Sequence, residues 1–256
     1  ALVYVGVAVV VFFFGDRYTY YPDRIPPEPD LRPPRGVEEV FFASEDGVRL
    51  SGWLGTRPGS KATILWFHGN AGNITDNAAV LTDLLALPAD VLMPEYRGYG
   101  KSGGWPSEKG LYLDADAAWR FLVEDRRVPT GRLFIYGHSL GGAVAVDLAA
   151  RRPCRGLILE ATFTSTKDMA RTVLPVLPVG FFIRERYASI EKAPLIRVPV
   201  LTHHGDRDGT VPFELGRRLF SAFPKPKFFY TVPGAGHNDI PFVGGSEFYR
   251  RIGAFL

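Results

Sequence analysis

The feature that most constrains this chain is the pentapeptide Gly137-His138-Ser139-Leu140-Gly141, set between the apolar run Leu133–Tyr136 and the small-residue segment Leu140–Ala150. An apolar run, a sharp turn and a segment able to pack closely as a helix read as strand, elbow and helix. In that context the glycines have a mechanical reason. The serine must occupy a strained turn that lifts its hydroxyl above the sheet, and a side chain two positions to either side would collide with neighbouring backbone. A serine hydroxyl is a weak nucleophile until a base removes its proton. Ser139 as nucleophile therefore requires a histidine, and a carboxylate to orient that histidine.

The rest of the chain supplies a scaffold for such an elbow. VEEVFFASEDGVRLSGWLGTR predicts an antiparallel pair turned at Glu45-Asp46-Gly47. Short apolar strands are expected at Ala62–Phe67, Val91–Pro94, Leu157–Glu160, Val200–His203 and Phe228–Val232. Helical spacing falls at Ala78–Leu87, at Leu111–Glu124 and from about Ser246 to the end. Strands alternating with helices imply an α/β fold, a mostly parallel central sheet with helices on both faces, over residues 36–256. A small cap is expected around 162–198. At 256 residues, 46% hydrophobic and 22% charged, the chain is sufficient for one large core. The net charge of +3 is spread over dispersed arginine doublets, which fit a solvated surface, and no nucleic-acid-binding motif is present. Cys154 is the single cysteine, so no intramolecular disulfide can form.

Five histidines compete to be the base. His138 adjoins the nucleophile and is expected to project elsewhere, His68 belongs to an earlier loop, and His203 and His204 end a strand. His237, in Pro-Gly-Ala-Gly-His-Asn-Asp after the last strand, is best placed to swing over Ser139. In folds built around this elbow the chain order is serine, acid, histidine. Asp206 and Asp208 lie on the intervening loop and Glu160 ends an earlier strand; spacing does not choose among them. A loop-capping role is expected of Asp206. Two backbone N–H groups should hold the oxyanion, one from Leu140 and one from the loop His68–Asn73, with Asn70 preferred and Ala71 in reserve. That loop lacks the Gly-Lys-Ser/Thr ending of a phosphate loop, and His203, His204, Asp206 and Asp208 have no H-E-x-x-H or cysteine pair to support a metal site. No cofactor and no metal are expected.

The strings FHGNAGN, EYRGYGKSGG, YGHSLGG, HGDRDGTVPFELG and PGAGHND, in this order, resemble the Bem46-like and ABHD13- and ABHD17-like serine hydrolases of the α/β-hydrolase superfamily over roughly Gly36 to Leu256. The resemblance implies the triad Ser139, Asp208 and His237: the final Asp of H-G-x-x-D falls on Asp208, and the His of G-H-N-D on His237. It implies cleavage of carboxylic esters or thioesters through an acyl-enzyme. Mammalian members are associated with removing fatty acyl groups from protein cysteines, but those lineages carry N-terminal cysteine clusters that this sequence lacks. Peptidases, amidases and acyltransferases can use the same triad, and an inactive binding protein can keep the fold.

Ala1 to Phe14 is an uncharged apolar run followed by Asp16, Arg17, Tyr18, Tyr20 and Tyr21. Basic and tyrosine residues beside an apolar end suit a membrane interface. The expectation is a membrane-anchor helix over residues 1–21, complete or cut short, then a proline-rich connector over 22–35. The apolar stretch Leu174–Ile183 in the cap is expected to line an acyl pocket or pack as an ordinary cap helix. The expected partners are a small-molecule or lipid-like acyl ester and, through the N-terminus, the membrane.

Overall fold

The computed structural model describes residues 19–23, 32–173 and 183–256. Among them one sheet has eight strands: β2 (Val37–Ala43), β3 (Arg49–Gly55), β4 (Ala62–Phe67), β6 (Ala89–Pro94), β7 (Leu133–His138), β8 (Gly156–Glu160), β9 (Val200–Gly205) and β10 (Lys227–Val232). Two short strands, β1 (Tyr21–Pro22) and β5 (Ala71–Gly72), pair separately. The order across the sheet is β10-β9-β8-β7-β4-β6-β3-β2. The pairings from β10 to β6 are parallel, and β3 joins antiparallel to β6 and β2.

The period of two along each strand explains how helices cover both faces. Leu65, Phe67, Ile135, Leu157 and Leu159 meet α2 (Glu108–Arg120), α3 (Leu140–Arg151) and α6 (Phe213–Ala222) through Leu111, Ala115, Val144, Leu148, Leu215 and Leu219. Their sequence neighbours Ile64, Trp66, Phe134, Tyr136 and Ile158 face the other way. They meet α1 (Ala78–Leu85) and α7 (Ile240–Phe255) through Leu81, Leu84, Phe248 and Ile252. Between α3 and α6 lie the short helices α4 (Thr166–Val173) and α5 (Ser189–Lys192), within the stretch expected to form a cap.

Local boundaries follow side-chain chemistry that hydrophobic spacing does not report. α2 starts at Glu108, before the first apolar residue, because Ser107 Oγ accepts the Gly110 N–H at 3.1 Å. It ends in a π turn over Phe121–Asp125. α7 starts at Ile240 instead of Ser246 because Gly245, at φ 52°, joins two helical pieces.

The expected anchor helix lies outside the described residues through residue 18, and residues 174–182 of the expected acyl-pocket stretch also lie outside them. Thr19–Pro22 correct that expectation. Tyr21–Pro22 form a strand, not a helix end or the start of a free connector, and Tyr20 is buried in the domain core instead of serving an interfacial belt. Its hydroxyl lies 2.7 Å from that of Tyr187 and donates to Glu185 Oε2 at 2.9 Å, which is why burial is tolerated. Among the described residues no helix is long and apolar enough to cross a membrane.

Candidate active site

The elbow is built as its glycines require. Ser139 sits at φ 54°, ψ −118°, a conformation costing about 1–3 kcal/mol that persists only where the surroundings enforce it. Its N–H donates to the Glu160 carbonyl at 2.9 Å, and Thr162 Oγ1 donates to the Ser139 carbonyl at 2.8 Å. A Cβ on Gly137 would lie 2.1 Å from the Gly141 carbonyl oxygen, one on Gly141 would lie 2.2 Å from that of Phe67, and one on Gly142 would lie 2.4 Å from Thr162 Cβ. Strand β7 and helix α3 can approach this closely only through glycine.

β9 and β10 deliver the other two groups from the same end of the sheet. His237, in the turn after β10, brings Nε2 to 3.0 Å from Ser139 Oγ and Nδ1 to 2.8 Å from Asp208 Oδ2. Asp208, just past β9, accepts the N–H groups of Thr210 and Val211 on Oδ1 at 2.9 and 2.8 Å. His204 Nε2 stands 3.3 Å from Asp208 Oδ2 and 3.0 Å from the Val211 carbonyl. A carbonyl can only accept, so Nε2 carries the proton and His204 also presents it to Asp208. Burial pushes the Asp208 carboxyl up, but hydrogen bonds from His204 and His237, the His237 charge and the Val211 N–H together hold it well below the ordinary carboxylate range.

The competing residues take other roles. Asp206 accepts the Gly234 N–H at 2.6 Å, the loop-capping role expected of it. Glu160 accepts from the Tyr136 hydroxyl; burial raises its carboxyl to about 7, against the lowering from that hydrogen bond and from His237. His203 is packed against Tyr230 and Phe248 and is pushed down to about 3 by burial and by Arg251. Among the described residues no three metal-ligating side chains converge. His138 does not project away from the site. Its ring lies 5.1 Å from that of His237, with Nε2 3.3 Å from the His237 carbonyl, and burial and the neighbouring His237 ring hold it at about 4.

The loop after β4 closes the other side of Ser139; a Cβ on Gly69 would stand 3.6 Å from the serine Cβ. His68 Nδ1 donates to the Gly69 carbonyl at 2.8 Å while its Nε2 lies 3.0 Å from the buried Glu95, whose other oxygen accepts the Ile74 N–H at 2.9 Å. In a trans peptide the C=O and the following N–H point oppositely, so anchoring the Gly69 carbonyl orients the Asn70 N–H. The Leu140 N–H opens helix α3 immediately after Ser139, at the positive end of the helix dipole. A cavity of about 490 Å³ adjoins these groups, its wall including Trp66, Asn70, His138, Ser139, Glu160 and His237. Glu95 is the site residue that motif reasoning missed, and His138 and His204 read in the sequence as rival bases, not as neighbours of the His237–Asp208 pair. For His204 and Glu95 the signal was in plain view, in HHGDRDG and PEYRGYG.

Sheet order and elbow together define a hydrolase of the α/β-hydrolase fold. Residues 58–186 match the family described as serine aminopeptidase, S33. The chain is 38% identical to an uncharacterized protein of Mycobacterium tuberculosis, Rv2307c, over 100% of this chain and 92% of that protein. It is 36% identical to protein bem46 of Schizosaccharomyces pombe over 86% of this chain and 76% of that one. Against the α/β-hydrolase domain-containing protein WAV2 of Arabidopsis thaliana it is 33% identical, over 100% and 91% of the two chains. Esterase Pf2001 of Pyrococcus furiosus shares the fold, with a TM-score of 0.75 at 23% identity over 93% of this chain and 96% of that one. The chain belongs to the Bem46-like branch of the α/β-hydrolases.

Proposed function

We propose that this hydrolase cleaves carboxylic esters or thioesters through an acyl-enzyme on Ser139. The observation that carries the proposal is the unbroken chain from Ser139 Oγ through His237 to Asp208, at 3.0 and 2.8 Å. His237 Nε2 takes the serine proton as Oγ attacks the acyl carbon, Asp208 stabilises the imidazolium, and the N–H groups of Asn70 and Leu140 hold the oxyanion. His237 then protonates the leaving group, and water attacks the acyl-enzyme by the same route in reverse roles. The N-terminal apolar run is proposed as a membrane anchor, and the cap as the source of an acyl pocket for short to medium chains.

The wild-type protein should be labelled by a fluorophosphonate and hydrolyse p-nitrophenyl esters, and Ser139→Ala should lose both. A Ser139→Ala protein with full esterase activity refutes the proposal. The same fold and triad serve amide cleavage, and the S33 description of the matched family favours aminopeptidase activity as the second possibility. Ser139-dependent hydrolysis of aminoacyl amides selects the peptidase, and ester hydrolysis with no turnover of those amides selects the esterase.

A further inference from the structure

The segment Thr19–Asp23, which lies shortly after the apolar run in sequence, is laced onto the loop that carries Asn70. Tyr21 N–H donates to the Asn70 carbonyl at 2.9 Å, and Asp23 N–H to the Gly72 carbonyl at 3.1 Å. The parallel register pairs Tyr21 with Ala71 and Pro22 with Gly72. The segment's donors to this pairing are thus Tyr21 and Asp23, and Pro22 stands at the one position between them where no N–H is needed. The side chains of the loop reach back: Asn70 Nδ2 donates to the Thr19 carbonyl at 3.1 Å, and Asn73 Nδ2 to the Asp23 carbonyl at 3.4 Å. Gly100 N–H also donates to the Asp23 carbonyl, at 3.0 Å.

The other end of the segment is fixed to the cap region. Tyr20 is buried, and its hydroxyl joins Tyr187 and Glu185. Glu108, at the start of α2, ties the same two residues by accepting the Tyr187 N–H at 2.9 Å and donating its own N–H to Glu185. Five residues therefore bridge the loop that carries Asn70 and the segment around Glu185 and Tyr187.

The consequence follows from peptide geometry. The Asn70 carbonyl is held from outside by Tyr21 N–H and by the Tyr99 hydroxyl at 2.8 Å. With the Gly69 carbonyl held by His68, both peptide planes flanking Asn70 are fixed, and the N–H groups of Asn70 and Ala71 are turned away from their anchors. An oxyanion hole contributes to rate only when its donors are already aimed where the charge develops.

We propose that Thr19–Asp23 is a positioning strap for the oxyanion-hole loop, which makes the N-terminal segment part of the catalytic apparatus and not only a tether. The proposal rests on the assignment of Asn70 as an oxyanion donor.

The test uses the full chain with Tyr21→Pro, which removes the donor to Asn70 from an exposed position, and Tyr20→Phe, which removes only the hydroxyl contacts of a buried ring. Readouts are kcat and KM on p-nitrophenyl butyrate, the inhibition constant of a butyl boronic acid that mimics the tetrahedral intermediate, and the melting temperature. Loss of one oxyanion donor outright lowers kcat about 10²–10³-fold. Misaiming it in Tyr21→Pro should lower kcat roughly tenfold and weaken the boronate by a similar factor, with KM within about twofold. Tyr20→Phe should change kcat in the same direction by less.

A Tyr21→Pro protein with wild-type kcat and boronate affinity overturns the strap, as does a fall in kcat matched by a fall in melting temperature with boronate affinity intact in the folded fraction. Either result leaves the Ser139 mechanism standing, since that mechanism is refuted by its own result: a wild-type protein that neither labels nor hydrolyses esters.

Discussion

Replacing Asp208 by asparagine separates the electrostatic role of the acid from its shape, and the structure decides which way the amide must face. Four N–H donors surround the carboxylate: Thr210 and Val211 at Oδ1, and His237 and His204 at Oδ2. An amide has one oxygen to accept and an NH₂ that cannot. If the NH₂ faced the two backbone donors, neither could adapt: the buried Val211 N–H would lose its acceptor at about 1–3 kcal/mol, and the more exposed Thr210 N–H, which water can reach, would add little. If it faces the histidines, His204 keeps the Val211 carbonyl as acceptor and His237 can change tautomer. The second orientation is favoured by about 1–3 kcal/mol, and it leaves Nδ1 of His237 bare and places the proton on Nε2, facing Ser139. A base that already holds its proton cannot take another. The expected loss in kcat is about 10³–10⁴-fold, or roughly 4–5.5 kcal/mol of transition-state stabilisation. Initial rates on p-nitrophenyl butyrate, with the melting temperature as a control, measure it. An Asp208→Asn protein that keeps kcat within tenfold of wild type refutes the reasoning. If Glu160→Gln then abolished activity, the acid would be Glu160.

Three further outcomes follow from the same geometry. Gly141→Ala must push a Cβ against the Phe67 and His68 carbonyl oxygens, 2.2 and 2.5 Å away; it should cost about 1–3 kcal/mol or more and most of the activity. Gly131→Ala, with nothing within 4 Å, should be silent in both, and equal melting temperatures for the two would refute the clash. Glu160, raised to about 7 by burial, keeps in the folded state a proton that the unfolded chain has released above its ordinary value of 4.5. Stability from this group is therefore full below pH 4.5 and lost as pH rises toward 7, by up to about 3 kcal/mol. Glu160→Gln should flatten that decline in thermal melts at pH 4.5 and pH 8, and an unchanged slope would count against it. His204→Leu removes one hydrogen bond to the acid and should lower kcat/KM roughly fivefold, the effect of about 1 kcal/mol. His204→Gln, which keeps an N–H near the same place, should recover most of it, and equal losses in the two variants would assign His204 to packing alone.

What could be read from the sequence was whatever repeats with a short period or is enforced by sterics at neighbouring positions. β4 is buried at every residue, so its apolar run announced both its type and its limits. Gly137 announced the elbow because its excluded side chain collides with the Gly141 and Gly142 backbone just ahead, whereas the partner that excludes one at Gly141 is the distant Phe67–His68 backbone, which only the motif's context implied. Less legible were contacts between residues far apart in sequence whose types have several uses. His138 was expected to point away because a sharp turn alternates its directions, yet its ring packs on His237, 99 residues on. Tyr20 and Tyr21 looked like an interfacial pair beside an apolar run, since exposed tyrosines at a membrane and tyrosines bonded inside a core share one composition. For Tyr20 only the partner decides, and that partner, Tyr187, lies 167 positions away; Tyr21 keeps its side chain exposed and is held through its main-chain N–H on the Asn70 carbonyl. The same ambiguity hid the strap. A tyrosine followed by a proline-rich stretch reads as an extended connector unless one sees that the strand it joins needs donors from Tyr21 and Asp23 and none from Pro22. Proline there is compatible with pairing because of register, a property of two segments together that neither segment carries alone.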